Sequence, residues 1–355
     1  MMKPIYILSS SAISPQLSFE PEQFLNPVKE SADGKLFVTD IDYRQFINPV
    51  AIRRMSRQLK MGIAAGMQAL KLAGVEQPDA IITGTGLGSM TDMEHFLKDM
   101  ISMNEEALNP TYFIQSTYNS VNGWLALQSK GTGYNQTFVN RGLSFELAAL
   151  DAQLFLNEAS EKKVALTGCF DELTPEYYIV KDKIGYWKKD PPLNTKLLEH
   201  SDSPGTIAGE GAAFFTFSND SNGAVCVFKG LKMIQEANVN MQQEIAAFLQ
   251  LHQLAPKDVD LVIAGMNGDR AFQSFYDDAL AYWSDHTAIA IFKPFTGEYP
   301  TASGFAAWLA TQILASGNIP ESAIFRKGTA DRLQHILILN HYILNTASLM
   351  LLSAS

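Results

Sequence analysis

Gln136-Thr137-Phe138-Val139-Asn140-Arg141-Gly142-Leu143-Ser144 is the stretch whose reading decides the fold. Gln136–Asn140 reads as a short buried strand. Ser144–Asn157 reads as a helix, because Phe145, Ala148, Ala149, Ala152 and Leu156 recur at helical spacing. Arg141-Gly142-Leu143 is the tight turn between them. A sharp strand-to-helix turn exposes one side chain and aims the helix N-terminus at whatever that side chain holds. The residue at its point here is Gly142, which offers no thiol, hydroxyl or base. The turn has the form of a nucleophile elbow with no nucleophile on it.

Outward from this turn, short apolar runs alternate with helical patterns. Ile5–Leu8, Ala80–Thr83 and Val164–Thr167 read as buried strands, and Gly205–Phe217 carries Gly209-Glu210-Gly211-Ala212-Ala213 into another. A long helix is expected over Ala51–Ala73, ended by Gly74 as a C-cap. Met90–Met103 and Asn119–Gln128 read as two more. After the polar break Asn219–Gly223 the pattern restarts. Ala224–Phe228, Leu261–Ala264 and Ala288–Phe292 read as strands, Asn240–Leu251, Ala271–Ala281 and Ala302–Ser316 as helices, and His335–Asn340 with Ala347–Leu351 as a closing strand pair. This alternation argues for an α/β protein with mostly buried sheets. The restart divides it into similar halves, residues 1–222 and 223–355, fused into one compact unit.

The totals bound the function. With 355 residues, 46% hydrophobic and 18% charged, the chain can bury a large core. A net charge of −10 argues against nucleic acid and anionic membrane as partners. The basic run Arg53–Lys60 is the local exception, read as a solvated helix face or as a docking patch for an acidic carrier. Two cysteines, Cys169 and Cys226, make no disulfide framework, and both lie in apolar runs. No signal-peptide core and no run of about 18 apolar residues is present. A cytoplasmic location is the expectation.

Several motifs bear on chemistry. Gly84-Thr85-Gly86-Leu87-Gly88 follows a strand, but the dinucleotide fingerprint needs its third glycine where Ser89 stands, so no cofactor is expected. None of the six histidines pairs with another metal-ligating residue at ligand spacing, so no metal site is expected. His286 and His341 read as packing residues. Ser144 lies two residues past the elbow tip without a histidine motif to serve as its base, and reads as a helix N-cap. Arg141 and Glu146 flank the turn, placed to pair across it or to face a partner chain. Lys293, just past a strand, reads as one arm of a structural ion pair.

The order of these motifs resembles the β-ketoacyl synthase family of the thiolase fold. Ile7–Pro15 resembles its first strand and turn, Arg54–Gly74 its Arg-Met-Ser-Arg helix ending in Ala-Gly, and Ile82–Gly88 its Gly-Thr-Gly-Leu-Gly turn. Asn119–Leu127 is similar to the helix before the elbow, and Gly209–Ala213 to its Gly-Glu-Gly-Ala-Ala signature. The resemblance implies a layered α-β-α-β-α architecture of two fused βαβαβ halves. It also implies condensing chemistry: an elbow cysteine holding an acyl thioester, two histidines on the enolate oxygen, and backbone N–H groups on the oxyanion. Each of those positions is changed. The cysteine position falls at Gly142. The first histidine position falls at Gly265 or Met266, and the second at Glu298, an acceptor where a donor is required. The glycine-rich C-terminal loop is replaced by Tyr342-Ile343-Leu344-Asn345-Thr346.

The resemblance therefore implies a chain-length-factor type of subunit. Such a protein lacks the cysteine and pairs with an active ketosynthase that works with acyl carrier protein in polyketide, polyene or fatty-acid-type biosynthesis. Carried over here, Gln136, Thr137, Phe138, Val139 and Asn140 form the dimer strand, and Asn109–Tyr118 lines the partner's acyl tunnel. Tyr112, Phe113, Tyr118 and Phe138 are then bulky enough to stop a growing chain; the plainer reading makes them core aromatics. Two rival readings remain: an acyltransferase-like enzyme with a non-standard site that uses Ser144, and a homodimeric scaffold.

Overall fold

A computed structural model describes residues 2–20, 24–236, 239–343 and 346–355. Five main strands precede the Asn219–Gly223 break: β1 (Ile5–Ile13), β2 (Ala80–Gly84), β3 (Tyr134–Phe138), β4 (Val164–Asp171) and β5 (Gly211–Ser218). Five follow it: β6 (Cys226–Gln235), β7 (Leu261–Ala264), β8 (Ala288–Ile291), β9 (His335–Tyr342) and β10 (Thr346–Ala354). Within the first set the spatial order is β1-β5-β4-β2-β3, and within the second it is β6-β10-β9-β7-β8. The first strand of each set runs antiparallel to the last, which runs antiparallel to the fourth. The remaining pairs are parallel. The repeat is thus one of topology, without residue-level similarity to betray it. Ile5, Tyr6 and Ile7 of β1 pair with Phe228, Val227 and Cys226 of β6, joining the sets into one hydrogen-bonded ladder.

Helices divide into three layers. α1 (Arg57–Ala73) and α4 (Ser120–Ser129) cover one face of the first set. α5 (Ser144–Glu158) and α9 (Ser303–Ser316) form the middle, with α9 against β1 and β5 on one side and β6, β9 and β10 on the other. Ten of its fourteen residues are buried, as a helix apolar all round must be. α7 (Met241–Leu251) and α8 (Gln273–Leu280) complete the stack, feeding Ile245, Phe248 and Tyr276 into the main core. α2 (Met90–Ser102), α3 (Pro110–Gln115) and α6 (Pro175–Lys183) lie around the elbow side. No helix among the described residues is long and apolar enough to cross a membrane.

Some local expectations need correcting. The single helix over Ala51–Ala73 is broken, because Ser56 is extended (ψ 164°) and α1 starts at Arg57. Two buried carboxylates set that start: Gln58 N–H donates to Glu172 at 3.2 Å, and the Arg57 guanidinium reaches Glu210 at 2.9 Å. Anions belong at a helix N-terminus. Arg57 is therefore internally committed, while Arg53 and Arg54 stay exposed. The strand before the elbow, expected buried, is β3 at the open edge of the ladder, and Tyr134, Asn135 and Gln136 are exposed. It ends at Phe138, so Val139 and Asn140 lie beyond the ladder.

Candidate functional site

The elbow forms where expected. Arg141–Leu143 is a single 3₁₀ turn between β3 and α5. Its left-handed residue is Arg141 (φ 47°), which is exposed, whereas Gly142 is buried and has no positive φ. Glycine is required at 142 by space alone. A Cβ built there would stand 2.2 Å from Cβ and 2.3 Å from Cγ of Tyr342, far inside van der Waals contact. Ser144 is fully buried; its hydroxyl donates to the Arg141 carbonyl at 2.8 Å and accepts from Asn140 N–H at 2.8 Å. It is a local clasp on the turn, and no histidine is hydrogen-bonded to it.

Behind the elbow lies a buried polar cluster. Lys293 Nζ donates to Glu298 at 2.8 Å and to the His341 carbonyl at 2.7 Å, and Asn267 Nδ2 donates to the same Glu298 oxygen at 2.8 Å. Burial raises the Glu298 pKa and lowers that of Lys293, while each charge opposes the shift of the other. The carboxylate at Glu298, read as an acceptor where a donor is required, is tied into a buried ion pair. Gly265 has no room for a side chain, since a Cβ would meet Asn340 Oδ1 at 2.5 Å. Met266 is buried and apolar. Around the cluster, the Tyr342 phenol adjoins Tyr177, Tyr186 and Glu298, and burial pushes its pKa well up. Leu344 and Asn345 of the C-terminal loop lie outside the described residues.

Glu146 and Arg141 do not pair. Glu146 is fully buried, accepts from Ser348 Oγ at 2.7 Å, and has its pKa raised by burial to about 7. His341 is buried with Nδ1 2.7 Å from Tyr276 Oη and its ring stacked on Phe272. Burial holds its pKa well below the usual imidazole value. His286 instead sits near the surface, 3.4 Å from Asp260. The Gly84–Gly88 turn is organised by Asp171. One Asp171 oxygen accepts from Thr85 Oγ1, Gly86 N–H and Leu87 N–H, each at 2.9 Å. The other accepts from Thr301 N–H and Oγ1, at 3.1 and 2.8 Å. Cys169 and Cys226 are free and buried, and burial pushes the Cys226 thiol up to about 12. No cluster of metal-ligating side chains occurs among the described residues.

Of the four bulky aromatics only Phe138 packs against the main core. Phe113 and Tyr118 are 57% and 44% exposed, and Tyr112 and Phe138 are half-buried. Ile101, Phe113, Ile114 and Val139 are further exposed apolar side chains, Val139 directly after β3.

Comparison with known proteins follows this geometry. Residues 30–201 match the family described as β-ketoacyl synthase, N-terminal domain. That segment is β-ketoacyl synthase-like. The whole chain superposes on whole chains of three solved structures. One is the ishigamide ketosynthase/chain length factor (TM-score 0.80, 15% identity). Another is a type II polyketide synthase acyl carrier protein in complex with its ketosynthase bound to the hexaketide (0.76, 16%). The third is a β-ketoacyl synthase from Burkholderia phymatum STM815 (0.77, 13%). Coverage is 100% of both chains in each case. At these identities the likeness shows the thiolase-like fold alone. No curated protein matches the chain in sequence.

Sequence reasoning named Gly142, Lys293 and Glu298 but missed Tyr342 as the occupant of the elbow, and with it Tyr177, Tyr186 and Asn267. The signal for Tyr342 was present: an aromatic standing where the family loop is glycine-rich.

Proposed function

We propose that this chain is a non-catalytic subunit of the chain-length-factor type, pairing with an active ketosynthase that acts with acyl carrier protein in polyketide- or fatty-acid-type biosynthesis. The observation that carries the reading is a silent elbow immediately beside an uncovered sheet edge. Gly142 supplies no nucleophile, and Gly265, Met266 and the ion-paired Glu298 supply no donor for an enolate. A condensing enzyme that loses one member of its catalytic unit loses many decades of rate, and here each member is changed.

The edge supports pairing. β3 presents unpaired backbone groups, a feature monomeric proteins usually blunt. Val139, the residue after β3, and Tyr118 are exposed and line one cleft with the elbow, and Phe113 and Ile114 are exposed apolar residues of α3. A partner strand along β3 is the natural cover, and α3 then falls against the partner. In that position Phe113 and Tyr118 act as a steric stop on a chain growing in the partner's site. We place the boundary between the halves at residues 222 and 223.

Co-expression with a ketosynthase encoded beside this chain tests the proposal, by native mass analysis and acyl labelling. The expected result is a heterodimer in which only the partner takes up label. Label on this chain, or a stable homodimer that ignores the ketosynthase, overturns it.

A further inference from the structure

The elbow has lost its nucleophile, and something else now holds the space. We infer that Gly142 and Tyr342 form a two-residue lock: Tyr342 fills the space that a side chain at the elbow tip would need, and glycine at 142 is the condition for it to seat. This rests on reading the elbow as a former nucleophile position, and it requires no partner.

Three observations support it. A Cβ at 142 would stand 2.2–2.5 Å from Cβ, Cγ and Cδ1 of Tyr342. The first of those is main-chain-proximal, so a change of rotamer cannot clear it. The tyrosine is 4% exposed. A cleft of about 460 Å³ is lined by Tyr342 and Gly142 together with Gly86, Tyr118, Asn140 and Arg141. That volume lies in the range of small-molecule sites. Tyr342 thus shares the wall of an open cleft with the elbow tip. Without its ring the cleft deepens at Gly142, and a thiol placed there meets solvent.

The test is alkylation of an introduced thiol by iodoacetamide, read by mass spectrometry, in Gly142→Cys and in Gly142→Cys/Tyr342→Gly. The thiolate displaces iodide from the methylene carbon, a C–S bond forms, and the thiol proton passes to buffer. Cys169 and Cys226 are buried and serve as internal blanks. The double variant is expected to label about 10- to 100-fold faster than the single one, the rate factor for an opening cost of about 1.4–2.7 kcal/mol. Equal rates in two folded variants overturn the inference. A companion measurement covers the case in which Gly142→Cys does not fold. Gly142→Ala is expected to lower Tm in the wild-type background and to have little effect in the Tyr342→Gly background. An equal loss of Tm in both backgrounds overturns the lock. A failed heterodimer experiment would leave these results intact, so the two readings fail separately.

Discussion

Replacing Lys293 by methionine tests whether the cluster behind the elbow is structural. The lysine and Glu298 are 1% and 2% exposed, and the ammonium makes two bonds, at 2.8 and 2.7 Å. Removing one partner of a buried pair strands the other charge and costs about 3–5 kcal/mol. Against a total stability of about 5–15 kcal/mol for a typical domain, that is a large fraction. The sign with pH follows from Glu298. Burial already raises its folded pKa above the ordinary 4.5, and Lys293 is the first influence lowering it. Without the lysine the carboxyl takes up a proton on folding more readily. Stability of Lys293→Met therefore falls as pH rises above about 4.5, by about 1.4 kcal/mol per unit until the folded pKa is passed. Adding Glu298→Gln removes the stranded charge while its carbonyl still accepts from Asn267, so the double variant is expected to recover about 2 kcal/mol at pH 8. Urea unfolding monitored by tryptophan fluorescence between pH 5 and 8 measures this. A cost below about 1 kcal/mol, flat with pH and unchanged by the second substitution, would refute the reasoning.

Glu146→Gln probes a second buried carboxyl. Its folded pKa of about 7 against 4.5 makes wild-type stability fully present below about 4.5 and progressively lost as pH rises through 7. The variant, measured against wild type, is expected to flatten that slope and gain about 3 kcal/mol at pH 8. Asp171→Asn turns one acceptor oxygen into a donor facing the Thr85 and Thr301 donor sets, and is expected to cost about 2–5 kcal/mol in the same unfolding assay; a neutral result would remove Asp171 as the organiser of the Gly84–Gly88 turn. Val139→Glu or Phe113→Glu, on exposed surface, is expected to leave Tm within about 2 °C while weakening association with a ketosynthase at least about tenfold by titration. Unchanged association would place the interface elsewhere.

The elbow, the alternation of elements and the Asn219–Gly223 restart were legible because periodicity and turn chemistry are local properties. Lys293 was legible too, as a lysine just past a strand with no solvent-facing pattern around it. Three things were not. The burial of Gln136–Thr137–Phe138 was misjudged because an edge strand and a central strand share the same apolar run, and only the ladder order distinguishes them. The partners of Glu298 were not foreseen because they come from Lys293 and from Asn267, thirty-one residues away. The lock was missed because the pairing of residue 142 with residue 342 spans both halves of the chain. α3 and α6 escaped notice because each is short, opens with proline at its first turn and has almost no buried stripe.

The middle helix layer has a consequence for how this chain is made. α9 seals the inner faces of both strand sets, yet it is supplied by residues 303–316. Once β5 has left the ribosome, roughly 100 further residues must follow before that seal exists, about 5–20 s at ordinary elongation rates. Through that interval α5 alone covers the inner face of the first set, and Asp171 waits for Thr301. A chain cut between 222 and 223 is therefore expected to yield a first half of low solubility, since part of its inner face is left bare.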